Sequence, residues 1–381
     1  MKKIIIILLM GILLGIVNVS AEESVVINAK SAILIEASSG KILYEKNIHE
    51  RFAPASMTKM MSLVLIMENI ENRNLRMDEI VRTSKNASSM GGSQIFLEEN
   101  EEMTVEDLLK GITIGSANDA TVSLAERIAG TEKAFVDMMN EKAKELGLKN
   151  TQFKNSTGLD EEGHYSSSYD MSIIAKELVK HEKILEFSSI YETYLRTDTD
   201  NKFWLVNTNK LVRFYEGVDG LKTGYTEDAG YCLTATINKD NMRLIAVVMG
   251  EPTSNIRNSE VSSLLDYGYN LYQKDEYVTK DEILDKVKVE KGKEEYANIV
   301  VLDNVFTVNK KGHKKGEVTF ELDVNILRAP IKKGEVVGNL TIKEDGKIIS
   351  KVDVTVDESI QKASIFTMYF RNLKDIIEFK I

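Results

Sequence analysis

The run Ser31–Ala37 is read as a strand whose side chains alternate between two faces. A polar break, Ser38-Ser39-Gly40-Lys41, leads into Ile42-Leu43-Tyr44, and the pair predicts a β-hairpin. The period then lengthens to that of a helix over Met57–Asn69, Val105–Ile114, Asp119–Ala129, Glu132–Leu146 and Tyr169–Lys180. Tyr231–Asn238 and Met242–Gly250 read as two strands joined by the tight polar turn Lys239-Asp240-Asn241, and Ser254–Tyr272 reads as a closing helix. A hairpin first, helices in the middle, then strands and a helix describe an α/β domain whose sheet pairs the start of the chain with its finish. Beyond about Tyr277 the texture changes to short alternating runs, Ala297–Val305, Val318–Val324 and Ile349–Val356, punctuated by Lys310-Lys311-Gly312 and Lys332-Lys333-Gly334. This predicts a small β domain of roughly 80 residues, an ordinary domain size.

Both ends of the chain carry apolar patterns of their own. Lys2-Lys3, an uncharged apolar stretch from Ile4 to Val17, and Val19-Ser20-Ala21 have the layout of a secretory signal cleaved after Ala21. An uncleaved anchor is the alternative, because the uncharged run is just long enough to span a bilayer. At the other end, Ile365, Phe366, Met368, Tyr369, Phe370, Leu373, Ile376, Ile377 and Phe379 share one broad helical face. Thr367, Arg371, Lys374, Asp375 and Glu378 share the opposite one, while Asn372 and Lys380 break the pattern. Too charged to span a bilayer, this segment suits lying in its interface; a terminal helix packed on its own domain is the plainer alternative.

Composition narrows the chemistry. In 381 residues, hydrophobic positions make up 43% and charged ones 28%, which describes a globular protein long enough for two domains. The formal charge of −10, with no basic cluster, speaks against a nucleic-acid partner. One cysteine, Cys232, forbids an intrachain disulfide; its strand-like setting reads as a packed, inert thiol. Neither HExxH nor GxSxG occurs, and His49, His164, His181 and His313 are scattered, so no metal or other cofactor and no Ser-His-Asp hydrolase is indicated.

Three short patterns carry chemistry. Pro54-Ala55-Ser56-Met57-Thr58-Lys59 sets a serine and a lysine three positions apart at the start of an apolar helix, where residues so spaced share a face. A lysine kept neutral by burial beside other cations is able to take the serine proton. S-x-x-K also occurs at Ser38–Lys41, in the hairpin turn, and at Ser359–Lys362, near the tail; an exposed lysine near a serine is the plain reading of any single match. Ser116-Ala117-Asn118 lies between two helices, where a hydroxyl and a carboxamide can relay a proton and hold a substrate amide; a helix cap is the plain reading, and S-x-N recurs at Ser84–Asn86. Lys222-Thr223-Gly224, just before a strand, occurs once. It would supply a positive charge, a hydroxyl donor and a site of close backbone approach; a surface turn is the plain alternative.

Together and in this order, the three patterns match those of penicillin-binding proteins and class A β-lactamases. From about Ser31 to Tyr272 the chain resembles the low-molecular-mass D-alanyl-D-alanine carboxypeptidases. The likeness rests on the three patterns, on Ser116-Ala117-Asn118-Asp119-Ala120, on Asn155-Ser156-Thr157-Gly158-Leu159-Asp160 and on Gly220–Thr226. The resemblance implies a penicillin-recognising serine peptidase domain, with an antiparallel sheet flanked by helices, and a small all-β C-terminal domain. The expected divisions are residues 1–21 (signal), 22–276 (catalytic), 277–358 (β-rich) and 359–381 (amphipathic helix).

It further implies removal of the terminal D-alanine from peptidoglycan stem peptides through an acyl-enzyme, at the outer face of the cytoplasmic membrane or in the cell wall. Ser56 would be the nucleophile, Lys59 the general base and Ser116 the proton relay to the leaving group. Asn118, Lys222, Thr223, Gly224, Tyr225 and Arg257 would bind substrate, with the oxyanion between the backbone N–H groups of Ser56 and Tyr225 and the terminal carboxylate at Arg257. For Arg257 a solvated helix-start arginine is the alternative, and for His164 a structural role is expected. Penicillin should acylate Ser56 and leave slowly, because the Glu-x-x-Leu-Asn glutamate of class A β-lactamases is missing: the chain has no Leu-Asn dipeptide. A β-lactamase, an endopeptidase or transpeptidase acting on cross-links, and a non-catalytic cell-wall binding protein are the competing readings.

Overall fold

The computed structural model describes residues 25–377 except Val26 and Asp281; the expected signal segment lies outside the described residues. The expected hairpin forms β1 (Ser31–Glu36) and β2 (Ile42–Lys46). Late in the chain come β3 (Val218–Thr226), β4 (Gly230–Lys239) and β5 (Met242–Glu251). These five make one antiparallel sheet in the order β2-β1-β5-β4-β3, so the start of the chain does pair with its finish, Ile33 opposite Val247.

Period-2 alternation decides which face each side chain joins. Ile33, Ile35, Ile245, Val247 and Met249 enter a core shared with the helices on one face. That layer holds α1 (Lys59–Glu71), α2 (Val105–Gly115), α3 (Asn118–Ala129), α4 (Glu132–Glu145), α5 (Ser168–Leu178) and α6 (Glu182–Ser188). Ala32, Leu34, Leu244, Ala246 and Val248 point the other way, against Val261, Leu264 and Leu265 of α7 (Ser254–Leu271). With both faces covered, the sheet can be apolar throughout, and α1 is buried nearly all round from Lys59 to Met67. Cys232 is fully buried in β4, and burial pushes its thiol up to about 11.

Beyond α7 the described residues form strands and loops apart from one last helix. Tyr272–Val278 pairs with Val305–Lys310, and a six-stranded sheet packs around a separate core that includes Ile299, Val301, Leu340, Ile342 and Val354. Gly312 and Gly334 sit in turns at positive φ, as the two Lys-Lys-Gly runs suggested. The last described element is α8 (Ile365–Ile377).

Two expectations need correction. Lys222-Thr223-Gly224 comes before β4 but also lies inside a strand of its own, β3: backbone pairing of Lys222 with Thr234 and of Gly224 with Cys232 makes the strand, although a surface turn is the plain alternative in sequence. The run Ala297–Val305 is two strands, Tyr296–Val301 and the one starting at Val305, because a polar break at Asp303-Asn304 reverses the chain.

Candidate active site

Ser56 lies in a single 3-10 turn, Ala55–Thr58, at the head of α1. Three residues per turn stack position i over i+3, so Ser56 and Lys59 are brought together by the local geometry alone. Lys59 Nζ is 3.0 Å from Ser56 Oγ and donates to the Thr157 carbonyl at 2.7 Å. The lysine has no solvent exposure, whereas Ser56 is part-exposed. Burial holds the Lys59 amine well below its ordinary range, the charge of Lys222 lowers it further, and Asp119 opposes both.

The turn is held in an unusual conformation. Ala55 has φ 47°, a left-handed value a residue with a Cβ seldom adopts. Gly158 presses on it from the Asn155–Asp160 loop: a Cβ at Gly158 would come within 1.8 Å of the Ala55 carbonyl oxygen, and its own φ is +87°. Thr58 Oγ1 is 2.8 Å from His164 Nε2, while His164 Nδ1 accepts from the Lys154 N–H at 3.2 Å. Burial pushes His164 down to about 4, so the neutral ring serves as a brace behind the turn.

The second pattern caps α2 and opens α3. Ser116 is the left-handed C-cap of α2 (φ 62°) through its backbone, and Ala117 is the N-cap of α3 without a side-chain bond, so neither polar side chain is consumed by capping. Asn118 Nδ2 donates to the Gly91 carbonyl at 2.7 Å, and its Oδ1 is buried without a hydrogen-bond partner. Asp119 accepts from the N–H groups of Ile95 and Leu97, which pins that loop to the head of α3.

β3 is an edge strand that pairs with β4 on one side only, and one of its faces packs against the Ser56 turn. A Cβ at Gly224 would be 2.9 Å from the Pro54 carbonyl oxygen and 3.2 Å from the Ser56 nitrogen, so the strand touches the nucleophile's own backbone. Lys222 is buried with Nζ 3.1 Å from the Thr223 carbonyl; burial and the neighbouring Arg257 charge lower it to about 7. Thr223 Oγ1 donates to Thr208 Oγ1 at 2.8 Å.

Ser56, Ser116, Thr223, Gly224, Tyr225 and Arg257 line one cleft of about 460 Å³. Lys59 and Lys222 sit beneath its floor, and Asn118 lies beside Ser93 of its wall, its N–H bonded to the Ser93 carbonyl at 2.7 Å. Arg257 is 5% exposed, its guanidinium held by Asn258 Oδ1 at 2.8 and 3.1 Å, so it is not the solvated arginine its helix-start position allowed. A larger depression of about 1060 Å³ runs between residues 95–104 and 196–203, but it contains no serine–lysine pair. Thr208, Ser93 and the Thr157 carbonyl were not singled out by the sequence; Thr157 lay within a quoted run, and the other two carry no motif.

The cleft thus offers a part-exposed hydroxyl beside a buried amine, backbone donors on a free strand edge, and two cations with hydroxyls at its far end. That arrangement suits acyl transfer from a peptide ending in a carboxylate.

Comparison with known proteins agrees. A family profile described as D-alanyl-D-alanine carboxypeptidase matches residues 18–253, and one described as the penicillin-binding protein 5 C-terminal domain matches residues 272–362. The chain is 49% identical over its whole length to the whole of D-alanyl-D-alanine carboxypeptidase DacF of Bacillus subtilis. Penicillin-binding protein 5 from Haemophilus influenzae superposes with a TM-score of 0.72 at 31% identity, covering 89% of this chain and 99% of that one. Penicillin-binding protein D2 from Listeria monocytogenes, solved in a cefotaxime-bound form, gives 0.59 at 30% identity over 65% of this chain and 99% of its own.

Proposed function

The chain belongs to the D-alanyl-D-alanine carboxypeptidase family and is a serine-type carboxypeptidase of the cell wall, and from that premise we propose how its residues divide the reaction. Ser56 Oγ passes its proton to the neutral Lys59 amine and attacks the carbonyl of the penultimate D-alanine. The oxyanion forms between the N–H groups of Ser56 and Tyr225; losing one such donor typically costs about 100- to 1,000-fold in rate. The peptide C–N bond then breaks as Ser116 relays the proton taken up by Lys59 to the departing D-alanine amine, and water hydrolyses the ester at Ser56, giving a proton back to the Ser56 oxygen.

The stem peptide lies along the free edge of β3 as an added strand, which uses backbone groups that β4 does not pair. Lys222, Thr223 and Arg257 receive the terminal carboxylate, and Asn118 Oδ1 accepts from a substrate amide N–H. A β-lactam occupies the same cleft and acylates Ser56. The observation that carries this reading is the 3.0 Å approach of a fully buried lysine amine to the Ser56 hydroxyl.

The protein works outside the cytoplasmic membrane, held to its surface by α8. Support comes from how that helix sits. Arg371 donates to the carbonyls of Gly292 and Lys293 and pairs with Glu295 at 2.9 Å, so this member of the polar side is turned to the β domain. Ile365, Phe366, Tyr369, Phe370 and Leu373 are left exposed. Among the described residues no helix is long and apolar enough to cross a membrane.

One experiment tests the reaction. Labelled penicillin should mark the wild-type chain at Ser56 and leave Ser56→Ala unmarked, and a peptide ending in D-Ala-D-Ala should release free D-alanine while one ending in L-Ala does not. Labelling at another residue, or undiminished labelling of Ser56→Ala, sinks the assignment.

A further inference from the structure

Scattered in sequence, the histidines do not end up alike. His181 caps the start of α6 and is 7% exposed, next to the C-terminal ends of α1 and α5. Its Nδ1 lies 2.7 Å from Oε1 of Glu71, the last residue of α1. Its Nε2 is buried and has no hydrogen-bond partner. A ring nitrogen of His181 and one carboxylate oxygen each from Glu68 and Glu177 all lie within 4.8 Å of one another.

A buried polar nitrogen left without a partner is costly, and native proteins rarely tolerate one without a use for it. The Glu71 bond dictates the use here. A carboxylate accepting from Nδ1–H fixes the tautomer in which Nε2 carries the lone pair. The same carboxylate–imidazole pairing orients histidines that ligate metal ions. Nε2 is therefore a ligand in waiting, with two carboxylates near the ring. Two carboxylates and a neutral imidazole sum to a charge that a divalent cation balances.

We propose that Glu68, Glu177 and His181 bind a divalent transition-metal ion of the zinc type, with Glu71 as the positioning residue and water completing the shell. An imidazole ligand favours such an ion over magnesium or calcium, which prefer oxygen alone. Two lysines compete for the carboxylates. Lys142 Nζ is 2.8 Å from Glu68 Oε1, and Lys180 Nζ is 2.6 Å from Glu177 Oε2. A carboxylate has two oxygens, so an ammonium on one does not bar a cation from the other, and the Lys180 side chain, 60% exposed, is free to swing away. The site is remote from the chemistry: Glu68 is about 14 Å along α1 from Lys59 at 1.5 Å rise per residue. Its role is structural. It ties the far end of the helix that carries Lys59 to α5 and α6.

The test uses the full chain, stripped with a chelator and titrated with Zn²⁺ by calorimetry. The expected result is one ion per chain at about micromolar Kd, with Tm raised by roughly 5 °C at about a hundredfold excess over Kd. His181→Asn keeps a donor towards Glu71 but has nothing in place of Nε2; this variant and Glu177→Gln should each weaken binding about 10-fold or more. Lys180→Ala, which removes a competing ammonium, should tighten it, and Mg²⁺ should not raise Tm. Anomalous diffraction at the zinc edge should give a peak among the three side chains. Failure to bind below about 100 µM, a peak elsewhere, or an isotherm unchanged in His181→Asn overturns the proposal.

Discussion

Gly224→Ala isolates the contact between the edge strand and the nucleophile. Gly224 is not among the glycines at positive φ, so alanine meets no backbone penalty there, and the whole effect comes from the added methyl group. That methyl would stand 2.9 Å from the Pro54 carbonyl oxygen, 3.1 Å from the Ala55 Cβ and 3.2 Å from the Ser56 nitrogen. Ordinary contact needs about 3.5 Å, so strand and turn must part by roughly 0.5 Å. Neither yields easily, since β3 is laced to β4 and the Ser56 turn is wedged by Gly158. Displacement of about 1 Å typically costs 100-fold in rate, and full loss of one oxyanion donor about 100- to 1,000-fold. Acylation of Ser56 should therefore slow by between about 10- and 1,000-fold, while overpacking lowers stability by about 1–3 kcal/mol. Stopped-flow acylation with a chromogenic cephalosporin, alongside a thermal melt, separates the two. If the folded variant acylates within threefold of wild type, β3 does not help to form the oxyanion site and the proposed geometry is wrong.

Protonating Lys59 removes the base, so acylation should fall on the acid side, and Lys222→Ala, which deletes the charge that lowers the Lys59 amine, should move that acid limb to higher pH in a pH–rate profile. An unmoved limb would show that the two lysines are not coupled. In the wild type, Lys222 at about 7 should lose its charge above neutrality, giving kcat/KM for a D-Ala-D-Ala peptide an alkaline limb. The kcat limb should lie higher, because a bound carboxylate favours the ammonium form; coincident limbs would argue against a carboxylate beside Lys222. Gly158→Ala combines positive φ with a 1.8 Å collision against the Ala55 carbonyl and should destabilise by about 3–5 kcal/mol, read from urea denaturation; a loss under about 1 kcal/mol would refute the wedge. Deleting residues 365–381 should release the protein from anionic lipid vesicles in a flotation assay and leave the penicillin acylation rate unchanged; a truncated protein that still floats would rule α8 out as the attachment.

What the sequence made legible was whatever repeats with a simple period. Ile33 and Ile35 face one core and Ala32 and Leu34 the other, and the helices from Val105 to Glu145 begin and end within a residue of where apolar spacing places them. β3 escaped because it is a strand for reasons outside itself. Val218–Thr226 holds Gly220, Gly224 and a buried lysine, a composition that reads as a turn until β4 supplies the hydrogen-bonding partner. The same property makes it useful. An apolar, regularly alternating strand would bury its edge against another element, whereas one built from Lys222, Thr223 and Gly224 gains little by doing so and keeps that edge for a peptide.

Local pattern placed Ser56 over Lys59, because the two are three residues apart. It was silent on what holds the amine below its ordinary range: burial first, and then the charge of Lys222, 163 positions further along the chain. The three patterns can act together only if the fold returns them to one point, so their joint presence carries information that none has singly. Yet order contains no distance. The approach of Gly224 to the Ser56 backbone, the brace of His164 behind Thr58 and the burial of Arg257 are tertiary facts. Each follows from side chains filling space between elements, which no periodicity in the sequence encodes. Catalytic competence in this fold is therefore a property of packing as much as of residue identity, and substitutions at small, chemically silent positions such as Gly158 and Gly224 should harm it as severely as those at Ser116.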